Sequence, residues 1–251
     1  MTLRRSSWAL GLVSFVGLLA IWQAAVSAGL IGAYYVSSPI AVGEAFVAML
    51  REGTIQRHFT ASAISFLIAF AIATSAGVAL GMAAGMFRTV ERTLDPFVWF
   101  LYSTPAIALY PLFVAWLGFG RPTSVATAVM FALTPIYANT LTGVKNVSPQ
   151  LMRMAHSFGA RPMDLFVRIA LPASVPLIVG GMQLGVGRAL AGVLVAELFG
   201  ANAGLGFSIA YNAQYMRTTK MMVFILLVIV CGLVLTRAMA AVSAMSDRWR
   251  T

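Results

Sequence analysis

The chain has 251 residues, 60% of them hydrophobic and 10% charged, with 17 Lys+Arg against 7 Asp+Glu and a formal net charge of +10. Soluble domains carry roughly 25% charged residues, and a core of this size cannot hide so much apolar surface from water. The balance excludes a disordered chain, and cations scattered this thinly are unlike the clustered basic face of a nucleic-acid-binding domain. Lipid is the expected solvent.

Crossing the hydrocarbon takes about 20 mostly apolar residues per helix, so spans can be counted between charges. Long uncharged runs separate Arg5 from Glu44, Arg57 from Arg88, Asp95 from Arg121, and Arg121 from Lys145, and two looser runs follow Arg168 and Lys220. The pattern predicts an all-α integral membrane protein with six transmembrane helices, near residues 8–29, 62–86, 96–118, 123–144, 173–199 and 220–244. Residues 1–55 are expected to form the first helix and an external connecting segment. Residues 56–251 are expected to form a five-helix core with a cytoplasmic loop at 145–172.

The first apolar stretch follows Arg4 and Arg5 and ends near Val26-Ser27-Ala28, a small-residue pattern that also suits a cleaved signal. Its length from Trp8 to Val26 favours an uncleaved helix. Pro39 to Leu50 then reads as a short amphipathic helix with proline at its start. In the second span Gly77, Gly81 and Gly85 recur every four residues and make a close-packing face. The third contains Tyr102, Ser103, Thr104, Pro105 and Pro111, an interrupted segment that could line a pathway or simply pack. The fifth repeats the small-residue spacing at Gly181 and Gly185 and carries Arg188 near its middle and Glu197 near its outer end.

An intramembrane charge is expensive and marks a functional site by default. Arg188 reads equally as a positive group lining a pathway for anions and as a structural arginine. Glu197, half a turn away once whole turns are removed, reads as a gate or interface residue or, more simply, as a water-exposed acid. Orientation follows the cations. With the N-terminus inside, the cytoplasmic side holds Arg4, Arg5, Arg88, Arg92, Lys145, Arg153, Arg161, Arg168, Arg237, Arg248 and Arg250. The outside holds Arg51, Arg57, Arg121, Arg217 and Lys220, of which Arg217 and Lys220 run against the rule.

The loop 145–172 is the patterned one. Leu151, Met154, Ala155 and Phe158 recur at helical spacing, Gly159 permits a bend, and Pro162 with Asp164 starts a second helix. Its apolar side needs a partner, which periodicity alone leaves open between its own bundle and another protein. Here the residues resemble permease subunits of bacterial ATP-binding-cassette importers. Their EAA loop reads Glu-Ala-Ala, three residues, Gly, nine residues, Ile-x-Leu-Pro. This chain has Arg153-Met154-Ala155, Gly159 and Ile169-Ala170-Leu171-Pro172 at that spacing, with the leading acid replaced by Arg153. Matches to the nitrate/sulfonate/taurine-type permeases continue through Asp95-Pro96, Thr104-Pro105, Gly118-Phe119-Gly120, Pro135, Gly143, Glu197 and Gly204-Leu205-Gly206.

The resemblance implies a type I ABC importer permease fold in the bacterial inner membrane, with both termini cytoplasmic. It implies a coupling helix seated on an ATPase subunit through Arg153, Ala155, His156, Phe158, Gly159, Ile169, Leu171 and Pro172. It further implies a second permease copy, two ATPase subunits and an external substrate-binding protein, with Tyr102, Ser103, Thr104, Arg188 and Glu197 as pathway candidates. No catalytic residue, metal site or cofactor is expected in this chain. Neither lysine stands in the Gly-Lys-Ser/Thr context of a phosphate-binding loop, so ATP would be hydrolysed by the partner. Two alternatives are a stand-alone secondary transporter or channel, which favours paired intramembrane acids or an inverted repeat, and a membrane hydrolase. The hydrolase would need a histidine within a span, and both His58 and His156 read as loop residues. The lone Cys231 permits no internal disulfide.

Overall fold

The computed structural model describes residues 2–30, 32 and 35–247, so Arg248 and Arg250 lie outside it. Among the described residues every regular element is helical. They are α1 (Thr2–Ser27), α2 (Pro39–Arg51), α3 (Thr54–Met86), α4 (Arg88–Ser103), a 3₁₀ turn (Ala106–Leu109), α5 (Tyr110–Leu117) and α6 (Arg121–Lys145). The chain continues with α7 (Pro149–Ser157), α8 (Pro162–Leu165), a π-helical turn (Phe166–Ala170), α9 (Leu171–Gly200), α10 (Leu205–Gln214) and α11 (Thr218–Asp247).

Four of these are long and apolar enough to cross a membrane: Thr54–Met86, Arg121–Lys145, Met163–Gly200 and Thr218–Met245. A fifth crossing is broken, its halves Arg88–Ser103 and Ile107–Leu117 meeting at 92°. The expected first span appears as the shorter apolar helix Val13–Ser27. The continuous helix expected at 96–118 is therefore corrected. Pro105 offers no N–H and pushes the residue before it out of the helical region, and Thr104 accordingly sits at φ −77°, ψ 127°. The Ser103 and Thr104 hydroxyls both bond back to the Phe100 carbonyl, at 3.1 and 2.7 Å.

Glycine decides how the core helices meet. A Cβ on Gly77 would fall 2.9 Å from Ile136, one on Gly81 2.6 Å from Thr140, and one on Gly85 against Val144. These partners advance by four residues in the same sense, so α3 and α6 run parallel, with backbones as close as missing side chains allow. Against α6, Gly185 meets Ile136 and Gly192 meets Ala128, so α9 is antiparallel to it. Phe66, Ala69, Ala73, Ala128, Ala132, Ile136, Val186, Ala189 and Val193 form the buried centre. Parallel α3 and α6 need a return crossing between them, which the broken pair α4–α5 supplies: Gly120 N–H bonds the Gly200 carbonyl at the far end. Near the loop end, Lys145 at the end of α6 pairs with Glu91 of α4.

Candidate functional site

α7 is short because its sequence ends it. The Ala160 N–H reaches back to the Ala155 carbonyl at 3.1 Å, and Gly159 adopts φ +79°. That is a Schellman cap, which a glycine satisfies without the left-handed penalty of a side chain. Gly159 thus stands just beyond the helix that carries Ala155, at the bend between the two halves of the loop. The second half of the loop starts at Pro162 as expected, with Asp164 accepting from the Arg161 N–H at 3.3 Å and pairing with Arg168 at 3.6 Å. It then passes through the π-helical turn straight into α9. Ile169, Leu171 and Pro172 therefore belong to one helical rod, Met163–Gly200, rather than to a loop joined to a span. At 1.5 Å per residue its 38 residues reach about 57 Å.

The apolar stripe of α7 is not buried by its own chain. Leu151 is 46% exposed, Met154 59% and Phe158 86%, and Met163 beside them is 69% exposed. Arg153 is exposed, and Ala155 is half-buried. His156 lies in α7 with its side chain outside the described part. Aromatic and Met surface left open on a single short helix is the composition of an interface rather than of a solvated face.

The pathway candidates are not drawn together. Tyr102, Ser103 and Thr104 mark the break between α4 and α5, with Tyr102 64% exposed. Arg188 is exposed on α9, on the strip formed by Gly180, Leu184, Gly187 and Ala191; a Cβ on Gly180 or Gly187 would meet nothing within 4 Å. Glu197 is neither at the surface nor water-exposed: it is 2% exposed.

Its carboxylate accepts from Ser62 Oγ at 2.8 and 2.7 Å and from the Gly206 N–H at 3.0 Å. Ser62 Oγ in turn accepts from the Leu205 N–H at 2.7 Å, and His58 Nδ1 accepts from the Gly204 N–H at 3.2 Å. Three successive donors at the start of α10, which no neighbour in that helix can satisfy, are thereby matched by α3 and α9. Gly204 sits at φ +133° with the Glu197 carboxylate where a Cβ would be, and a Cβ on Gly206 would lie 2.5 Å from the Leu194 carbonyl. The Gly204-Leu205-Gly206 motif is the socket of a buried clamp.

Sequence reasoning missed Ser62 and placed His58 in a loop, whereas His58 lies in the second turn of α3. A serine one helical turn beyond a histidine, at the start of a long apolar run, was the available signal. Replacing Glu197 by Ala strands the Ser62 hydroxyl and the Gly206 N–H, at about 1–3 kcal/mol for each unmatched group. The purified Ala variant should inactivate at a clearly lower temperature than wild type, with Gln intermediate because its amide oxygen still accepts. Equal thermal midpoints for Ala and wild type would dismiss the clamp.

Comparison with known proteins follows the same lines. The family model described as binding-protein-dependent transport system inner membrane component matches residues 76–246. The chain is 36% identical to SsuC of Escherichia coli, named as an aliphatic sulfonates transport permease, over 86% of this chain and 82% of that protein. It is 35% identical to the riboflavin transport system permease protein RibX of Chloroflexus aurantiacus, over 82% and 77%. In fold it is similar to a chain of the inward-facing MetNI methionine ABC transporter, with a TM-score of 0.62 at 18% identity, covering 77% of this chain and 94% of that one. A parallel α3–α6 pair, an antiparallel α9 and an open loop before it are thus the frame of an ABC importer permease, a multi-pass transport component rather than an enzyme. The chain belongs to the family of binding-protein-dependent transport system inner membrane components.

Proposed function

We infer that this permease subunit imports a small anionic solute of the sulfonate, taurine or nitrate kind, as two copies joined to two ATPase subunits and served by an external binding protein. The carrying observation is α7: an apolar surface of Leu151, Met154 and Phe158 that its own bundle leaves open, one bend before the 38-residue rod Met163–Gly200. Seated on an ATPase subunit, that surface is covered. A shift imposed at Met163 is then delivered along α9 to Arg188 and to the Glu197 clamp, because one helix carries all three.

Arg153 stands where the family's loop carries glutamate, so the ATPase face opposite it presents a different complement. ATP is bound and hydrolysed by that partner. The termini lie on the cytoplasmic side, where most cations fall. The second copy packs on the α9 strip of Gly180, Leu184, Gly187 and Ala191. A lone cation facing lipid at mid-span costs about 2.5–3.5 kcal/mol, and a copy-to-copy seam enclosing a wet pathway removes that cost. Arg188 from each copy then faces the solute, which supports an anion. The sulfonate-transport name of one relative agrees, and the riboflavin name of another does not.

The test is co-purification with the ATPase subunit and uptake into proteoliposomes with and without ATP. Co-elution and ATP-dependent uptake are expected; nucleotide-free uptake by this chain alone would overturn the reading. Within that assay, Arg188→Ala should lower uptake of a sulfonate about tenfold, with ATPase association unchanged and Arg188→Lys partly active. Uptake of a neutral analogue that falls equally would remove Arg188 from anion selection.

A further inference from the structure

Two recesses at the α7 end of the bundle hold none of the pathway candidates, and they share a residue. The larger is an apolar groove of about 700 Å³ that follows α3 from Thr74 to Phe87. Its other side is the start of the long rod, at Met163, Phe166 and Leu171. The smaller, of about 500 Å³, is lined by Arg88, Glu91, Arg92, Asp95 and Lys145. Met86 lines both, so the groove opens into the charged recess where α3 gives way to α4.

The shape is that of a lipid from one leaflet. From Thr74 to Met86 the helix advances about 18 Å at 1.5 Å per residue, and half of a hydrocarbon core is about 15 Å. The groove is thus one acyl chain deep. On α3 the small side chains of Ser75, Ala79 and Ala83 repeat on one face and leave the space. Met82, Val144 and Ile178 form a buried cluster behind it, with Phe166 and Leu171 packed on that cluster, so the groove exists before anything fills it. At its mouth Phe87 is 57% exposed.

The charged end is the right one for a phosphate. Lys145 is paired with Glu91, whereas Arg88 and Arg92 are exposed and form no ion pair among the described residues. Asp95 is the remaining acid of the lining, so the recess keeps a positive excess. Interfacial anchoring accounts for cations at the end of a span, but it needs no groove with protein on both sides. A small polar solute gains nothing from such apolar walls.

We propose that the groove between α3 and the start of the rod holds one acyl chain of an anionic phospholipid, with its phosphate on Arg88 and Arg92. The chain takes the place of water that the walls cannot hydrogen-bond, and the guanidinium forks match phosphate in charge and geometry. Because one wall is the first turns of the rod, the lipid braces the joint between the loop 145–172 and the membrane. The site takes only its side of the membrane from Proposed function and is independent of the solute.

The experiment counts lipid retained by the purified chain in native mass spectra, with phosphatidylglycerol and phosphatidylcholine of equal chain length as probes. Wild type should retain phosphatidylglycerol, one per chain, with about tenfold preference over phosphatidylcholine. Arg88→Gln with Arg92→Gln should bring the two lipids within about twofold. Arg153→Gln removes an exposed cation of α7 that lines neither recess, and it should leave the preference intact. Ala79→Trp fills the groove and should abolish retention of either lipid. A photoreactive benzoylphenylalanine in place of Phe87 should label phospholipid, and this result decides the case if the Trp variant does not elute as folded protein. Equal retention of both lipids by wild type overturns the proposal, as does retention that Ala79→Trp leaves unchanged. A preference lost equally in Arg153→Gln reduces the effect to general attraction at the interface and overturns the site. A label on a second permease chain instead of lipid overturns it in favour of that occupant. ATP-driven import is untouched by any of these results.

Discussion

Gly159→Arg is expected to abolish association with the ATPase subunit while the permease still inserts and folds. Gly159 lies at φ +79° and a Cβ there meets nothing within 4 Å, so the substitution creates no clash inside the chain. Its intrinsic cost is the left-handed backbone penalty, about 1–2 kcal/mol, borne at the Schellman cap of a surface helix rather than in the core. The arginine side chain must then project from the open surface of α7, next to Phe158, where the proposed partner packs. Burying an unpaired guanidinium against an apolar cleft is far costlier than the cap strain. Gly159→Ala carries the same strain without the bulk, so it should retain most association. Pull-down of the ATPase by the two variants separates the effects: survival of the complex in the Arg variant would move the docking surface off α7.

The second large effect concerns α9, where two glycines five residues apart should give opposite results. A Cβ on Gly192 would lie 2.6 Å from the Ala128 Cα and 3.2 Å from its nitrogen. Those are backbone atoms, which no rotamer change moves aside. Gly192→Leu must therefore part α6 from α9, at about 3 kcal/mol or more. Lipid offers no hydrophobic force to hold the helices together once their van der Waals contact is lost. Little monodisperse protein should survive extraction. Gly187→Leu has open space around it and a helix-propensity gain, so the single chain should fold normally. If the α9 strip is the seam between copies, that variant elutes as a single copy instead of a pair. A Gly192→Leu variant as stable as wild type would contradict the close α6–α9 packing; a Gly187→Leu pair that persists would place the seam elsewhere.

Much of the fold was legible because lipid imposes a simple rule: charges stay at the ends, and apolar runs of sufficient length cross. The cores of α3, α6, α9 and α11 follow from it; α2 was legible from Pro39 at its start, and the structure adds a serine cap, Ser38 Oγ accepting from the Ala41 N–H at 3.3 Å. The third span failed the rule. Hydropathy counts side chains, while the break at Thr104-Pro105 is a backbone event. The helix α10 was missed because ten residues are too few to register as a span, and two of the three acceptors that cap its start come from residues more than a hundred positions earlier in the chain.

The same division holds at the site. The loop motif exposed Gly159 and the apolar stripe of α7, because helical period and a capping glycine are local properties. Glu197 was misjudged because its surroundings are not local. Its depth in the sequence suggested the outer water, but Ser62 of α3 and the first N–H groups of α10 close over it. His58 moved from loop to clamp for the same reason.

By itself the sequence determined the solvent, the rough number of crossings and the position of the patterned loop, all of which depend on neighbours a few residues apart. Only the tertiary structure decided that α3 and α6 pack backbone to backbone, that the second half of the loop and span five are one rod, and that Glu197 is a buried clamp. The close pair and the clamp depend on which glycine lets which backbone approach, a contact between distant segments that local period and charge do not encode, and the rod depends on a π-helical turn that carries the helix through Leu171-Pro172.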